Sequence, residues 1–565
     1  MKNKTLIRLM LVAACIMHAI PHSFANQAAY QSLEKKIDSL VALSIREGQP
    51  GGTIGITKKG EVIFQKAFGL ADLENNVPNT TETAFNLASV AKQFTAFAIL
   101  LLEEEGKLSL DDEIHRHIPK LPDYGEKITI RNLLHHTSGI ASTDNLLLFA
   151  GRSLDGPWSQ EQELNLIYRY PDLNFKPGEQ HLYSNAGYSL LAEIIEKASG
   201  TTYDDYLQQK IFGPLQMTTT FVLDHPDKNI PNRAFGYSKE DEEFVRTKDG
   251  ETIYGATNIY TSAKDLSRWG NNFFNPRVGS RKIMHRIFNP DHVLNTGDTV
   301  NYSYGLVVSS YKGVKRVSHS GGDLGYRSQF LLFPEQEVVV YAAFNTDAIH
   351  SGNLVYTIVD WLLEEHFEDK KPGERMAVDL DPEKLKKFEG SYQMPDGLNM
   401  SFEVKRDTFW LDIPGAPPFQ VFAEDETRFF LKAFDAQITF VVEENGQVNS
   451  MIWHQAGGDH PAPLIGETKM PDAETLAGYA GIYYHEALEV EYPVRFEDGE
   501  LIIQTPDNFK RYLNIEQLNL TPMGDDRFYS RIGVVKFTRN QQEKVNGFRF
   551  VDVGRLKNVG FVKTR

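Results

Sequence analysis

Three short motifs carry residues that could do nucleophilic chemistry. The first is Ser89 and Lys92 in "FNLASVAKQFTAFAILLLEEEGKL". Ser-x-x-Lys occurs three times in this chain, also as Ser32…Lys35 and Ser309…Lys312. Ser32 and Lys35 fall in the polar first turns of a surface-type helix. Ser309 and Lys312 fall at a strand end, where a spacing of three puts side chains on opposite faces. Only Ser89 stands where a loop enters a strongly apolar helix. Positions i and i+3 share a helix face, so Lys92 can lie beside the Ser89 hydroxyl. The positive helix terminus would stabilise a developing alkoxide. A buried lysine there is pushed toward its neutral form and can take a proton. Read alone, Ser89 is equally an ordinary helix cap.

The second motif is Tyr183-Ser184-Asn185, just ahead of another apolar helix. A tyrosine near an ammonium can ionise below its usual ~10 and act as a base. Asn185 can donate to a substrate carbonyl or hold Lys92. The alternative is a structural tyrosine followed by a cap. Tyr-x-Asn occurs once more, as Tyr512-Leu513-Asn514. The third motif is His319-Ser320-Gly321-Gly322 in "KRVSHSGGDLGYRSQF". Glycines at a strand edge let a substrate backbone come close. The Gly322 N–H could pair with the Ser89 N–H as an oxyanion hole. Alone, His319 reads as structural and the glycines as a turn.

In this order the motifs resemble those of the β-lactamase/penicillin-binding-protein superfamily of serine hydrolases. The resemblance looks closest to the class C β-lactamase-like branch, which includes D-amino-acid peptidases, DD-carboxypeptidases and carboxylesterases. It covers about residues 31 to 366, and "ITIRNLLHHTSGI", "FKPGEQHLYSNAGY" and "GATNIYTSAKDLSRW" support it. It implies an α/β (α+β) fold, with an antiparallel sheet, flanking helices and a helical insert. It also implies that Ser89 attacks and forms an acyl-enzyme, that Lys92 and Tyr183 share the proton, and that Asn185 orients the substrate. His319 would take the place of the lysine in the usual Lys-Thr-Gly motif, bonding Tyr183 or, when protonated, a substrate carboxylate. No metal or organic cofactor is implied. A histidine is mostly neutral at pH 7, which shifts the expected substrate from β-lactams toward peptides or esters, cell-wall-derived ones included. A non-catalytic binding protein on the same fold is the alternative, although none of the three motifs is broken.

The elements that would position these residues are legible in outline. Apolar spacing from Gln31 to Arg46 predicts a helix. "GTIGITKKGEVIFQKAFG" predicts a hairpin turning at Lys59-Gly60. Residues 85 to 200 read as mostly helical, four strands follow between Tyr304 and Asn345, and "NLVYTIVDWLLEEHF" closes with an amphipathic helix. "EDKKPGERM" (368–376) reads as a linker. Beyond it the texture is all-β and repeats: "LKKFEGSYQ" resembles "LAGYAGIYY", and "TRFFL" resembles "DRFYS". This predicts two small barrel-like or sandwich domains, 377–468 and 469–565, after a hydrolase domain over 26–368. Self-association through these β domains, or shielding of the cleft by them, is expected.

The N-terminus predicts export to the periplasm or cell exterior. Lys2, Lys4 and Arg8 precede an apolar stretch, Leu9 to Ile20, and small residues before Ala25 offer a cleavage site, so 1–25 reads as a signal peptide. Val12-Ala13-Ala14-Cys15 looks like a lipobox, but the apolar stretch before Cys15 is short. Cys15 is the only cysteine, so if cleavage follows Ala25 the mature chain has none, and disulfides and a cysteine nucleophile are then excluded. The formal charge is −17; without those three cations it becomes −17 − 3 = −20, which argues against nucleic acid as a partner. No later segment has the length of a membrane span, and Phe94 to Leu102 has that of a core helix. Adjacent His135 and His136 are a poor metal pair and read as a helix-ending turn. Trp158, Tyr254, Tyr326 and Arg327 are candidate pocket residues.

Overall fold

The computed structural model describes residues 30–565 except 155, 249, 369–374, 396, 415, 444, 456–457 and 467–470. The signal-peptide reading, Cys15 and the middle of the linker lie outside the described residues. Among those described, no helix is long and apolar enough to cross a membrane.

The hydrolase domain is built on a seven-stranded sheet. Its strands are β1 (Gly52–Lys58), β2 (Glu61–Phe68), β3 (Tyr302–Ser303), β4 (Leu306–Tyr311), β5 (Val314–Asp323), β6 (Tyr326–Phe333) and β7 (Val338–Phe344). The order is β3-β4-β5-β6-β7-β1-β2, antiparallel throughout. Lys59 and Gly60 both take positive φ, 51° and 83°, as a two-residue hairpin turn requires. β7 is buried at every position because helices cover both faces. Val338, Val340, Ala342 and Phe344 face helices α1 (30–42) and α7 (Ser351–Leu363). Val339, Tyr341 and Ala343 face the other layer, which contains α2 (Lys92–Glu104) and α6 (Ala263–Phe274). That split is the period of two of a strand.

The insert between β2 and β3 supplies α3 (Thr143–Phe149), α4 (Gln160–Arg169) and α5 (Asn185–Ser199) as well as α2 and α6. Long loops separate these helices, so residues 85 to 200 are less helical than their apolar content predicts.

The tail forms two closed eight-stranded barrels, running from Gly390–Gln393 to Gly458–Ile465 and from Gly481–His485 to Leu556–Lys563. Each first strand carries a tyrosine whose hydroxyl donates to a carbonyl four residues back: Tyr392 to Phe388 at 3.0 Å and Tyr483 to Tyr479 at 2.5 Å. The copies run at a near-constant offset until the third strand, 500 − 408 = 92, and then jump to 517 − 419 = 98 at the fourth. The jump is a helix in the second copy, Asp507–Leu513, with no counterpart among the described residues of the first.

That helix docks the second barrel onto the hydrolase domain. Phe149, at the end of α3, stands edge-on to Phe509 and Phe550 at 5.4 and 5.0 Å. The Tyr492 hydroxyl donates to the Phe149 carbonyl at 2.9 Å. Asn508 donates to the carbonyls of Leu148 and Arg152 at 2.8 and 3.0 Å. Tyr512, of the second Tyr-x-Asn, accepts from the Leu154 N–H at 2.9 Å, so that motif serves docking. Helices α3 and α4 thus share one apolar core with the second barrel, whereas the first barrel has a core of its own. Truncating Phe149 to alanine should destabilise the protein by about 3–5 kcal/mol, read by urea unfolding. A loss below about 1 kcal/mol would mean that the shared core is not formed.

Candidate active site

The three motifs converge. Ser89 lies in a one-turn 3-10 segment, Ala88–Ala91, that leads into α2. It is not the cap of α2: the cap position is Ala91, and no side chain caps there. The residue before it, Ala88, has φ of +48°, a conformation an alanine adopts only under tertiary constraint. Two contacts supply the constraint. The Asn86 side chain accepts from the Ala88 N–H at 2.8 Å, and Ser328 Oγ donates to the Leu87 carbonyl at 2.6 Å. Gly321 completes the clamp, since a Cβ there would stand 2.3 Å from the Leu87 carbonyl oxygen and 2.2 Å from Ser328 Oγ. β4 pairs with β5 only as far as Ser318, and from His319 to Asp323 β5 pairs with β6 alone, so both glycines stand at a local strand edge. Gly321 there admits the nucleophile turn. Gly322 lines the same cavity as Ser89.

Lys92 is completely buried. Its Nζ is 3.2 Å from Ser89 Oγ, 2.8 Å from Asn185 Oδ1 and 2.9 Å from the Ala256 carbonyl. Burial pushes its pKa down to about 7; Asp144 pulls it back up and the Arg555 charge pushes it further down. Asn185 Nδ2 donates to Asp144 at 2.7 Å, so both ends of that amide are engaged within the protein. The Tyr183 ring lies 4.9 Å from Lys92 Nζ and 4.3 Å from the His136 ring. Its hydroxyl has no well-formed hydrogen bond among the described residues. Burial holds it well above the usual phenol value, against the opposing pull of Ser89 and the Arg555 charge.

His319 differs from expectation. It is 8% exposed and meets Tyr302 rather than Tyr183, with Nε2 3.0 Å from the Tyr302 hydroxyl and Nδ1 2.6 Å from the Ser320 carbonyl. Its ring centroid is 6.1 Å from that of Tyr183. Burial, then the Lys92 charge, lowers its pKa to about 4. It is neutral at pH 7 and cannot offer a carboxylate a charge.

The cavity beside Ser89 measures about 240 Å³, and its wall includes four carboxylates: Asp144, Glu163, Glu251 and Asp323. Motif reading missed them. Burial raises the pKa of Asp144, Glu163 and Glu251, that of Glu163 to about 7. One signal for Glu163 was present, because it shares the buried face of α4 with Gln160, Leu166 and Ile167 at helical spacing. Of the aromatic and basic candidates, Trp158 lines the cavity. Tyr254 bonds Glu196, Tyr326 bonds the Ala234 carbonyl, and Arg327 bonds the carbonyls of Asp323 and Tyr326. None of these three lines it. His135 and His136 are buried in the turn after Ile130–Leu134, with His135 Nδ1 2.7 Å from the Tyr302 carbonyl.

A family model described as Beta-lactamase matches residues 33–357, more than half of the chain. The chain belongs to the β-lactamase/penicillin-binding-protein superfamily of serine hydrolases. A second model, Domain of unknown function (DUF3471), matches residues 374–462, the first barrel. Penicillin-binding protein 4* of Bacillus subtilis (strain 168) is 29% identical over 76% of this chain and 99% of its own length. Protein flp of Staphylococcus aureus (strain MRSA252) is 30% identical over 56% of this chain and 64% of its own. The octameric penicillin-binding protein homologue from Pyrococcus abyssi superposes with a TM-score of 0.53 at 26% identity, covering 76% of this chain and 99% of that one.

The burial of Lys92 in this superfamily member gives a stability signature. Its folded pKa of about 7 lies below the ordinary 10.5, so between these values the unfolded chain binds more protons. Stability must then rise with pH across that window. The stability difference between wild type and Lys92→Met should therefore move in the wild type's favour from pH 7 to pH 10, measured by denaturant titration. A flat difference would contradict the buried, proton-shedding lysine.

Proposed function

We propose that this protein is an exported serine hydrolase that forms an acyl-enzyme on Ser89 and cleaves a peptide bond, of D-amino-acid or cell-wall type, or an ester. The observation that carries the reading is the 3.2 Å separation of Ser89 Oγ from Lys92 Nζ, with Lys92 buried among neutral acceptors. A lysine poised near 7 is a free amine in substantial part at neutral pH, and so can take the Ser89 proton as the hydroxyl attacks. Tyr183, held protonated, gives its proton to the leaving group and is reprotonated by the Lys92 ammonium; in deacylation Lys92 takes a proton from the attacking water and passes it to the departing Ser89 oxygen. The backbone N–H groups of Ser89 and Gly322 serve the developing oxyanion. Asn185 fixes Lys92. The basic-then-apolar N-terminus supports export, with lipidation at Cys15 the weaker variant. True β-lactamase activity of the class C kind is disfavoured by the neutral His319.

Ser89→Ala should remove both turnover and the acyl adduct, lowering kcat by at least about 10³-fold, with circular dichroism unchanged. Tyr183→Phe should cost about 10²–10⁴-fold. Intact-mass spectrometry and product release with a β-lactam, a D-Ala-D-Ala peptide, a D-aminoacyl amide and a p-nitrophenyl ester read this directly. The wild-type kcat/KM should rise through pH about 7, a limb owned jointly by Lys92 and its carboxylate neighbours Asp144 and Glu163. Normal turnover in Ser89→Ala would end the proposal.

A further inference from the structure

The second barrel also places a guanidinium against the ring of Tyr183. Its last hairpin, Val545–Val553 to Leu556–Lys563, turns through Gly554, with φ of +63°, and Arg555. The turn is pinned to the hydrolase domain on both sides of Arg555. Asn174 Nδ2 donates to the Arg555 carbonyl at 3.2 Å, and Asn174 Oδ1 accepts from the Lys557 N–H at 2.7 Å. Asn174 is buried and is itself fixed through its N–H to the Gly139 carbonyl at 2.7 Å. Lys557 Nζ reaches Gln180 at 3.0 Å. So held, the Arg555 guanidinium stands 4.5 Å from the centre of the Tyr183 ring, a cation–π contact. The residue is exposed, and among the described residues no carboxylate pairs with it.

Of the other basic groups described near Ser89, Lys92 and His319 are occupied or uncharged, and Arg327 gives Nη1 to the backbone carbonyls of Asp323 and Tyr326. All three Lys92 contacts are internal. Both His319 nitrogens are engaged and the ring is neutral at pH 7. Arg555 is thus a charged donor whose fork meets no carboxylate among the described residues, and that fork matches a carboxylate in geometry and charge. The cavity is walled by four acids, Asp144, Glu163, Glu251 and Asp323, which offer an anion no positive partner, and Arg555 lies outside its lining.

We propose that Arg555 recognises a free carboxylate on the part of the substrate that stays outside the acidic cavity, so that the second barrel completes the specificity of the site. The substrate class is an amide, peptide or ester whose leaving group carries a carboxylate. This rests on the acyl-Ser89 reading. Arg555 is a specificity-determining residue and takes no part in the proton transfers.

The test uses the full-length enzyme and two phenylacetylglycine esters, one with meta-hydroxybenzoate and one with meta-hydroxybenzamide as leaving group. The acyl-enzyme is common to both, so only recognition of the leaving group differs. Arg555→Gln should lower kcat/KM for the carboxylate ester by about 10- to 100-fold, the range of a charge-assisted hydrogen bond. That loss should exceed the loss on the carboxamide ester by at least about 10-fold, and Arg555→Lys should recover part of it. Equal losses on the two esters in both variants would overturn the assignment while leaving the Ser89 chemistry standing. If the wild type hydrolyses neither ester and Ser89 gains no acyl mass from either, the Ser89 reading fails and this inference falls with it.

Discussion

Lys92 lies with no exposed surface at the start of an apolar helix, where a charged ammonium is disfavoured by several kcal/mol relative to water. The site is arranged around that constraint. Nζ needs acceptors, and the amide of Asn185 and the carbonyl of Ala256 supply them. Asn185 is the first residue of α5, so the register of α5 against α2 is fixed by this contact. The other end of the same amide is held by Asp144 on α3, and α3 ends in Phe149, the residue seated in the second barrel. A continuous set of contacts therefore runs from the barrel interior to the nucleophile.

The same enclosure explains the charge states around Ser89. Lys92, His319, Asp144, Glu163 and Glu251 are each shifted toward their neutral forms, and burial is the largest cause in each. A site with little net charge of its own can respond to proton transfer between Ser89, Lys92 and Tyr183 without reorganising solvent. It then depends on a group outside the enclosure to sense a charged substrate.

Much of this was legible in the sequence, for identifiable reasons. Ser89, Lys92, Tyr183 and Asn185 stood at the mouths of apolar helices, and the order of the three motifs, not any one alone, set them apart from ordinary caps. The β1–β2 hairpin, β4 to β7 and the duplicated tail were visible through turn residues, strand alternation and repeated text. His319 was found as a position, but its partner was not, because Tyr302 lies on a different strand and only the β3-β4-β5 pairing brings the two together. Asp144 was hidden because an acid in a first helical turn is ordinary. Arg555 was hidden because nothing local distinguishes a basic hairpin tip, and its proximity to Tyr183 arises only after two domains have closed.

The helix Asp507–Leu513 makes the two tail copies unequal. The first copy joins its third and fourth strands without such a helix among the described residues and has Met400 across from Tyr392, where the second has Tyr492 across from Tyr483. The second copy must keep its helix, its tyrosine and its phenylalanine socket to stay docked, while the first must keep only what closes a barrel. The docking copy carries the heavier constraint, and recombination that replaced it with its sibling would leave a barrel without the contacts that hold it at the cleft.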